Sequence, residues 1–161
     1  MTTDQTVQLT RPARLPPRWF IRIAWSIHRG LYRLLGQRRA LRPVTEKDWG
    51  MLRLTTVGRK SGKPRAAILG YYEDGANLVT MAMNGWGEPE PAWWLNLQER
   101  PETTVEMQDG RTLRVRGRPA TSEERPRLWE LWRRYDGEKL DSWAARRPGE
   151  TAVVILEPIS T

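Results

Sequence analysis

Residues 58–65 combine side chains and spacing that suit the binding of an anion. Two glycines bracket a turn, and four cations and one hydroxyl lie in it or beside it: Arg59, Lys60, Ser61, Lys63 and Arg65. Glycine allows positive φ, so successive N–H groups of such a turn can point into one concavity. Ringed by guanidinium and ammonium groups, the concavity would bind phosphate or carboxylate. A solvated basic turn is the alternative, and the spacing is not that of a P-loop.

Apolar runs on both sides of this turn predict the strands that must hold it. The predicted strands cover 52–57, 66–72, 78–83, 103–107, 111–118 and 151–156. A short helix is predicted over 92–99, with Pro91 at its start, and a second from a Thr121 or Ser122 cap to about Tyr135. Six strands with hairpin connections predict an α+β fold built on a small antiparallel barrel. The missing βαβ alternation disfavours a doubly wound nucleotide fold.

The basic charge is unevenly distributed and divides the chain into two predicted parts. Residues 1–50 hold 10 Lys/Arg and 3 Asp/Glu, a net charge of +7, whereas residues 51–161 hold 17 and 16, a net charge of +1. We predict a leader and basic helical arm over 1–50 and a barrel domain over 51–161. Within the arm, residues 18–35 predict an amphipathic helix, which either lies on an anionic membrane surface or packs on the domain.

Neither a membrane span nor a signal peptide is expected in the arm. Arginines interrupt residues 18–35 too often for a span, and residues 1–17 lack the apolar core of a signal peptide. We therefore expect a cytoplasmic protein, placed at the inner face of the cell membrane if the arm binds lipid. Nucleic acid is not an expected partner, because the charge lies on one helix without a recognised motif.

The composition removes much common enzyme chemistry. Cysteine is absent and one histidine, His28, is present, which disfavours thiolate chemistry and most metal sites, so no metal is predicted. A histidine-dependent triad would have to use His28, which lies in an arginine-rich segment. What remains favours a cofactor that carries the reaction itself.

Two further segments follow the basic turn in a specific order. Met81-Ala82-Met83-Asn84-Gly85 is a strand that breaks into a small-residue loop, and Pro91-Ala92-Trp93-Trp94-Leu95-Asn96-Leu97 is a helix start rich in aromatics. Together with the turn, they resemble the deazaflavin-dependent nitroreductase family over about residues 50–158. The resemblance implies a split β-barrel, similar to the pyridoxamine-phosphate-oxidase-like fold. It also implies binding of coenzyme F420, an 8-hydroxy-5-deazaflavin with a phosphate and an oligoglutamate tail.

The resemblance assigns cofactor-binding residues segment by segment. Phosphate and tail would be held by Arg59, Lys60, Ser61, Arg65, Ala66 and Ala67. The ring would lie beside Met81, Ala82, Met83 and Asn84, where the backbone can meet its carbonyl and N–H edge. The helix start would close the site with Ala92, Trp93, Trp94, Leu95 and Asn96.

Ordinary packing is the alternative for several of these residues. Met81 and Met83 would then be strand residues, with at most one facing a cavity. Trp93 and Trp94 are adjacent on a helix, so one is expected in the core and the other at the rim of the site. Asn96 would tie down the following loop.

The resemblance implies an F420H2-dependent oxidoreductase of the quinone reductase or nitroreductase type. It would transfer a hydride to an electron-poor acceptor, namely a quinone, an enone or a nitro compound. Tyr135 is the candidate proton donor besides solvent, with core packing as its alternative. Residues 136–143, which would line the substrate pocket, depart from the tyrosine-rich pattern of the family, and Glu90 replaces a common histidine. A non-catalytic carrier of F420, FMN or haem is the alternative function, and a homodimer is left open.

Overall fold

A computed structural model describes residues 40–84, 90–137 and 139–159. These residues form six strands: β1 Gly50–Val57, β2 Pro64–Asp74, β3 Asn77–Met81, β4 Glu102–Glu106, β5 Thr112–Pro119 and β6 Val153–Pro158. Within the same ranges lie three helices: α1 Ala92–Glu99, α2 Glu124–Asp136 and α3 Lys139–Ala144. The predicted leader, the arm helix and His28 lie outside the described residues. In the described part, no helix is both long and apolar enough to cross a bilayer.

The six strands close into one barrel in the order β1-β2-β3-β6-β5-β4, and every neighbouring pair is antiparallel. This confirms the predicted α+β split barrel. Because the strands alternate in direction, the C-terminal ends of β1, β3 and β5 lie together with the N-terminal ends of β2, β4 and β6. We call this the front end, since it carries the 58–63 turn. The opposite, back end carries the turns after β2 and β4.

Two apolar clusters lie on the two sides of the barrel wall. The core cluster fills the interior with Leu52, Leu54, Tyr71, Leu78, Ala82, Trp93, Trp94, Leu97, Val105, Met107, Val115, Val154 and Leu156. The outer cluster, formed where helices α2 and α3 pack on the wall, contains Tyr72, Val79, Met81, Leu128, Trp132, Leu140, Val153 and Ile155. Strands β3 and β6 are therefore buried on both faces, which accounts for the continuous apolar run of β6.

The two turns at the back end each contain a glycine with positive φ. Gly75, between β2 and β3, and Gly110, between β4 and β5, have φ values of 63° and 86°. Strand β3, in contrast, is shorter than predicted. The N–H of Met83 donates to the carbonyl of Met81 at 2.9 Å, which turns the chain away from the sheet immediately after Met81.

Helix α2 begins with a capping arrangement that confirms Thr121 as a cap residue. The N–H of Thr121 donates to Glu124 Oε2 at 2.8 Å, and the N–H of Glu124 donates to Thr121 Oγ1 at 3.2 Å. Such reciprocal bonds satisfy two donors that a helix start leaves free. Arg118 of β5 binds the same Glu124 carboxylate with two further bonds, which anchors α2 to the barrel.

Candidate functional site

The turn between β1 and β2 closes tightly on its own backbone. The N–H of Gly58 donates to the carbonyl of Lys63 at 2.9 Å, while the N–H groups of Ser61 and Gly62 return to the carbonyl of Gly58 at 3.1 and 2.7 Å. Gly62 has a φ of 64°, as the positive-φ interpretation requires. Gly58 is needed for another reason, because a Cβ on it would lie only 2.8 Å from Ser61 Oγ.

The backbone N–H groups of this turn do not form the expected anion-binding concavity. Five of them already donate within the protein, namely those of Gly58, Arg59, Ser61, Gly62 and Lys63. The prediction of a backbone nest is therefore wrong, because the tight turn returns its N–H groups to acceptors of its own chain. Any anion bound here would meet the side-chain cations instead.

The four cations of the turn, Arg59, Lys60, Lys63 and Arg65, are exposed, and none makes an ion pair with a described residue. The sequence explains this, since no Asp or Glu occurs between Asp48 and Glu73. Like charges close together repel one another and attract anions. The electrostatic character expected of the turn is thus present in its side chains.

Helix α1 holds this turn through a buried amide. Asn96 is 5% exposed; its Oδ1 accepts the N–H of Arg59 at 3.0 Å, and its Nδ2 donates to Thr56 Oγ1 at 3.0 Å. The Thr56 hydroxyl donates in turn to the carbonyl of Arg65 at 3.5 Å. One side chain thus connects both limbs of the turn to α1. Asn96 does tie down a loop, but it is the 58–65 turn and not the loop after the helix.

Both tryptophans of α1 are buried, so the expectation that one would lie at the rim of the site is wrong. Trp93 and Trp94 are 8% and 2% exposed, and both belong to the core cluster with Ala82. The helix packs against β1, β2 and β5, so adjacent positions on a wide helix face both turn toward the barrel. Ala92 is exposed and Leu95 partly exposed.

The residues at the end of β3 face two different sides. Ala82 is fully buried in the core cluster, whereas Met81 belongs to the outer cluster and Met83 packs against it. Asn84 is partly buried at the end of this described segment. The two methionines therefore pack as ordinary strand residues on one side, and the small Ala82 between them faces the interior.

The backbone at this strand end also has protein partners. The N–H of Ala82 donates to the carbonyl of Ala152 at 2.9 Å, and its carbonyl accepts Arg147 Nη1 at 2.9 Å. The N–H groups of Ala82 and Met83 therefore both have acceptors within the protein, whereas the carbonyl of Ala82 can accept a second bond. Arg147, which the sequence analysis missed, occupies that carbonyl.

Arg147 also fixes the segment that leads into β6. Its Nη1 donates to Thr151 Oγ1 at 2.8 Å, and Arg125 Nη1 donates to the carbonyl of Thr151 at 2.6 Å. Arg125 forms an ion pair with Glu150 at 3.1 Å. The Arg147–Ala82 contact joins residues 65 positions apart, so no local motif announces it.

Beside the turn, the first part of β2 pairs with only one of the described strands. Residues 64–71 pair with β1, but β2 pairs with β3 only from Tyr72 to Asp74. The predicted Ala66 is exposed there, while Ala67 is partly buried against the core cluster. The split in the barrel wall thus lies next to the basic turn.

Tyr135 lies on the outer face of the barrel, partly buried against the outer cluster. This cluster includes Tyr72, whose hydroxyl donates to the carbonyl of Leu128 at 2.6 Å, and burial raises the pKa of Tyr72 above its usual value. Leu140, from the predicted pocket segment, is fully buried in the same cluster. Packing against the outer cluster accounts for the position of Tyr135. Met83, from the end of β3, packs against the same cluster.

The amino-acid sequence of this chain is similar to those of known proteins. The profile of the F420H(2)-dependent quinone reductase family matches residues 30–158. The Mycobacterium tuberculosis protein Rv3178 is 36% identical over 103 residues, which cover 62% of this chain and 82% of its own. The F420H(2)-dependent quinone reductase Rv1261c of the same organism is 25% identical over 138 residues, 84% of this chain and 88% of its own.

A solved structure agrees with these sequence matches. The F420-H2 dependent reductase FDR-A superposes with a TM-score of 0.58 and 27% identity, covering 66% of this chain and 93% of its own. The family profile spans most of the chain, including the turn, the end of β3 and α1. The chain therefore belongs to the F420H(2)-dependent quinone reductase family and is an oxidoreductase.

Proposed function

We propose that this protein uses F420H2 to reduce a quinone, and that the basic turn receives the phosphate and oligoglutamate tail of the cofactor. The observation that carries this proposal is the group of four exposed turn cations without a carboxylate partner in the described part of the chain. A polyanionic tail would supply the negative charge that these cations lack. Enones and nitro compounds are the alternative acceptors.

The donor groups at the front end fit such a cofactor. Arg59 and Arg65, on the two limbs of the turn, can each bind a phosphate or carboxylate with two parallel N–H bonds, while Lys60 adds a point charge. Helix α1 begins after Pro91 with no acidic residue in its first turn, so its free N–H groups also favour an anion. Together these groups would hold the tail, and the ring would lie beside residues 81–84.

When bound, the reduced deazaflavin supplies two-electron reduction by hydride transfer, so no redox-active side chain is required. The residues of the chain bind, orient and exclude water. The buried Trp93 and Trp94 fill the barrel behind the front end and so keep water out of its interior. The bonds of Asn96 hold the turn in one conformation before any ligand arrives, which lowers the ordering cost of binding. Solvent or Tyr135 would supply the proton.

Titration of the protein with oxidised F420, followed by cofactor fluorescence, tests the binding half of this proposal. We expect saturable binding at micromolar protein, with FMN and haem binding more weakly under the same conditions. Binding of FMN or haem without binding of F420 would contradict the assignment of the cofactor.

Kinetic assays with F420H2 and menadione test whether the protein catalyses the proposed reduction. We expect the protein to accelerate reduction of menadione by F420H2, and parallel assays with an enone and a nitro compound rank the acceptors. A single-turnover experiment with bound F420H2 separates a reductase from a carrier. If menadione oxidised the bound cofactor no faster than free cofactor, the protein would be a carrier.

Two predictions from the sequence, a homodimer and an arm that binds membranes, are tested by separate experiments. Sedimentation of the full chain measures the first. For the second, binding to vesicles with anionic lipids is compared between the full chain and a chain lacking residues 1–39. Loss of salt-dependent binding on deletion is the expected result, and binding that persists would exclude the arm as an anchor.

A further inference from the structure

Arg147 is a cation held at the end of β3 by neutral partners. Its Nη1 donates to the carbonyl of Ala82 at 2.9 Å and to Thr151 Oγ1 at 2.8 Å. Its Nε is buried and has no hydrogen-bond partner. Among the described residues, no carboxylate forms an ion pair with this guanidinium.

Within the described part of the chain, these contacts leave Arg147 with an unused donor and with a charge that no carboxylate compensates. A buried N–H without an acceptor lacks a hydrogen bond that it would make in water. A positive charge in a partly buried position acts more strongly on its surroundings than one in bulk solvent. A ligand oxygen that carries negative charge would compensate the guanidinium and provide an acceptor.

Arg125, which lies on α2 and binds the same segment before β6, shows what a purely structural arginine looks like. It donates to the carbonyl of Thr151 at 2.6 Å, as Arg147 does to the hydroxyl of that residue. However, Arg125 is neutralised by Glu150 and lies over the ring of Trp129, 4.8 Å from its centroid. The charge of Arg125 is thus compensated within the protein, whereas that of Arg147 has no carboxylate partner in residues 40–84, 90–137 and 139–159.

We propose that Arg147 is a ligand-binding residue at the end of β3, where it meets an electron-rich carbonyl oxygen of the deazaflavin ring or of the quinone. The inference rests on the proposed function. The N–H of Ala82 already donates to Ala152, so the guanidinium bound to the Ala82 carbonyl is the donor that this strand end can present to a ligand. An acceptor carbonyl oxygen gains negative charge as it is reduced, and a fixed cation stabilises that charge.

Two variants of Arg147 test this role, and one variant of Arg125 serves as the matched control. Arg147→Met removes both charge and donors, and Arg147→Lys keeps the charge but cannot bridge Ala82 and Thr151 in the same way. Arg125→Met, on α2, removes an equal charge that also binds Thr151, without touching Ala82. For each protein we would measure the Kd of oxidised F420 by fluorescence, kcat and KM for menadione, and the unfolding midpoint without ligand.

If the oxygen belongs to the ring, Arg147→Met should raise the Kd of F420 by about 10-fold to 100-fold. If it belongs to the quinone, the KM of menadione should rise by a similar factor while the Kd of F420 is unchanged. Arg147→Lys should recover part of the loss, and it carries the test if the methionine variant does not fold. Arg125→Met should change either constant by less than about threefold.

Two results would overturn the inference. One is an equal effect of Arg147→Met and Arg125→Met on ligand constants, which would assign the effect to general charge or to the segment as a whole. The other is a lowered unfolding midpoint with unchanged Kd and KM, which would leave Arg147 a structural residue. A wild-type protein that binds no F420 would instead contradict the proposed function itself, so the two failures are distinguishable.

Discussion

The turns at the two ends of the barrel differ in whether their cations form ion pairs. At the back end, three arginines each bind a carboxylate: Arg42 with Asp48 at 2.8 Å, Arg111 with Asp109 at 2.6 Å and Arg127 with Asp74 at 2.7 Å. At the front end, the four cations of the 58–65 turn have no such partner among the described residues. The back-end turns carry compensated charge, whereas the 58–65 turn carries charge that is available to a ligand.

This difference separates a structural use of charge from a functional one. Exposed ion pairs contribute at most about 1 kcal/mol each to stability, and clustered like charges reduce stability. Of the five cations between Trp49 and Tyr72, Arg53 pairs with Glu106 across the sheet at 3.1 Å. The other four belong to the 58–65 turn and have no ion-pair partner among the described residues, so their charge does not stabilise the fold through ion pairs. It serves instead the proposed binding of an anionic cofactor tail.

Removing the front-end charge should have the largest effect. Arg59→Gln combined with Lys60→Gln is expected to weaken binding of oxidised F420 by about 10-fold to 100-fold, measured by fluorescence titration. The unfolding midpoint should stay the same or rise, because repulsion between the turn cations decreases.

The matched control removes the same charge from the back end. Arg111→Gln combined with Arg127→Gln should leave F420 affinity unchanged and lower stability slightly, since each variant breaks one exposed ion pair. An equal loss of affinity in both double variants would show that total charge matters and the position of the turn does not.

Asn96→Ala is expected to have the next largest effect. It removes the bonds to the N–H of Arg59 and to Thr56 Oγ1, which leaves buried polar groups unpaired and costs about 1–3 kcal/mol in the free energy of unfolding. F420 affinity should fall as well, because the turn is no longer held. Denaturant unfolding and titration measure the two effects.

Thr56→Ser is the control for this network, because it keeps the hydroxyl that bonds Asn96. It should retain F420 affinity close to that of the wild type. If Asn96→Ala lost stability but bound F420 with full affinity, the amide would hold the fold without preparing the turn for its ligand.

Two glycines provide a smaller and closely matched comparison. Gly62 in the front turn and Gly75 in the back turn have φ values of 64° and 63°, and a Cβ on either would meet no atom within 4 Å. Gly62→Ala and Gly75→Ala should therefore lose similar stability, about 1 kcal/mol each in thermal unfolding. Only Gly62→Ala should also weaken F420 binding, by a few-fold. If the two variants bound F420 with equal affinity, the conformation of the front turn would not matter for binding.

The smallest effect concerns acid stability away from the turn. Hydrogen bonds from Arg118 and from the N–H of Thr121 lower the pKa of Glu124 from 4.5 to about 2. Because the folded-state pKa is the lower one, this carboxylate stabilises the fold fully above pH 4.5 and less as the pH falls toward 2. Glu124→Gln should flatten this acid limb of unfolding free energy against pH, with F420 affinity unchanged at neutral pH. A limb of unchanged slope would contradict the assignment.

Features with local signals were predictable from the sequence. Helix α1 has the predicted bounds because Pro91 fixes its first turn, and two of the predicted hairpin connections form around Gly75 and Gly110. All six strands appear with bounds shifted by a few residues at most. The basic turn was also visible, because its cations and glycines are contiguous.

Features that depend on distant contacts were not predictable. Asn96 bonds Arg59 across 37 positions, and Arg147 bonds Ala82 across 65. The burial of Trp93 is set by how α1 packs on the barrel, and not by its own helical periodicity. For the same reason, the hydrogen bonds of Arg59 N–H and of the Ala82 backbone can be seen only when the strands are assembled into the barrel.

The most direct test of the central claim compares F420 with the same deazaflavin ring lacking phosphate and glutamates. The wild-type protein should bind F420 more tightly by at least about tenfold, because only F420 carries the charge that the turn cations receive. Arg59→Gln with Lys60→Gln should remove most of this preference, and Arg111→Gln with Arg127→Gln should keep it. Equal affinity of the wild type for both ligands, or an unchanged preference in the front-end variant, would contradict the assignment of the basic turn to the cofactor tail.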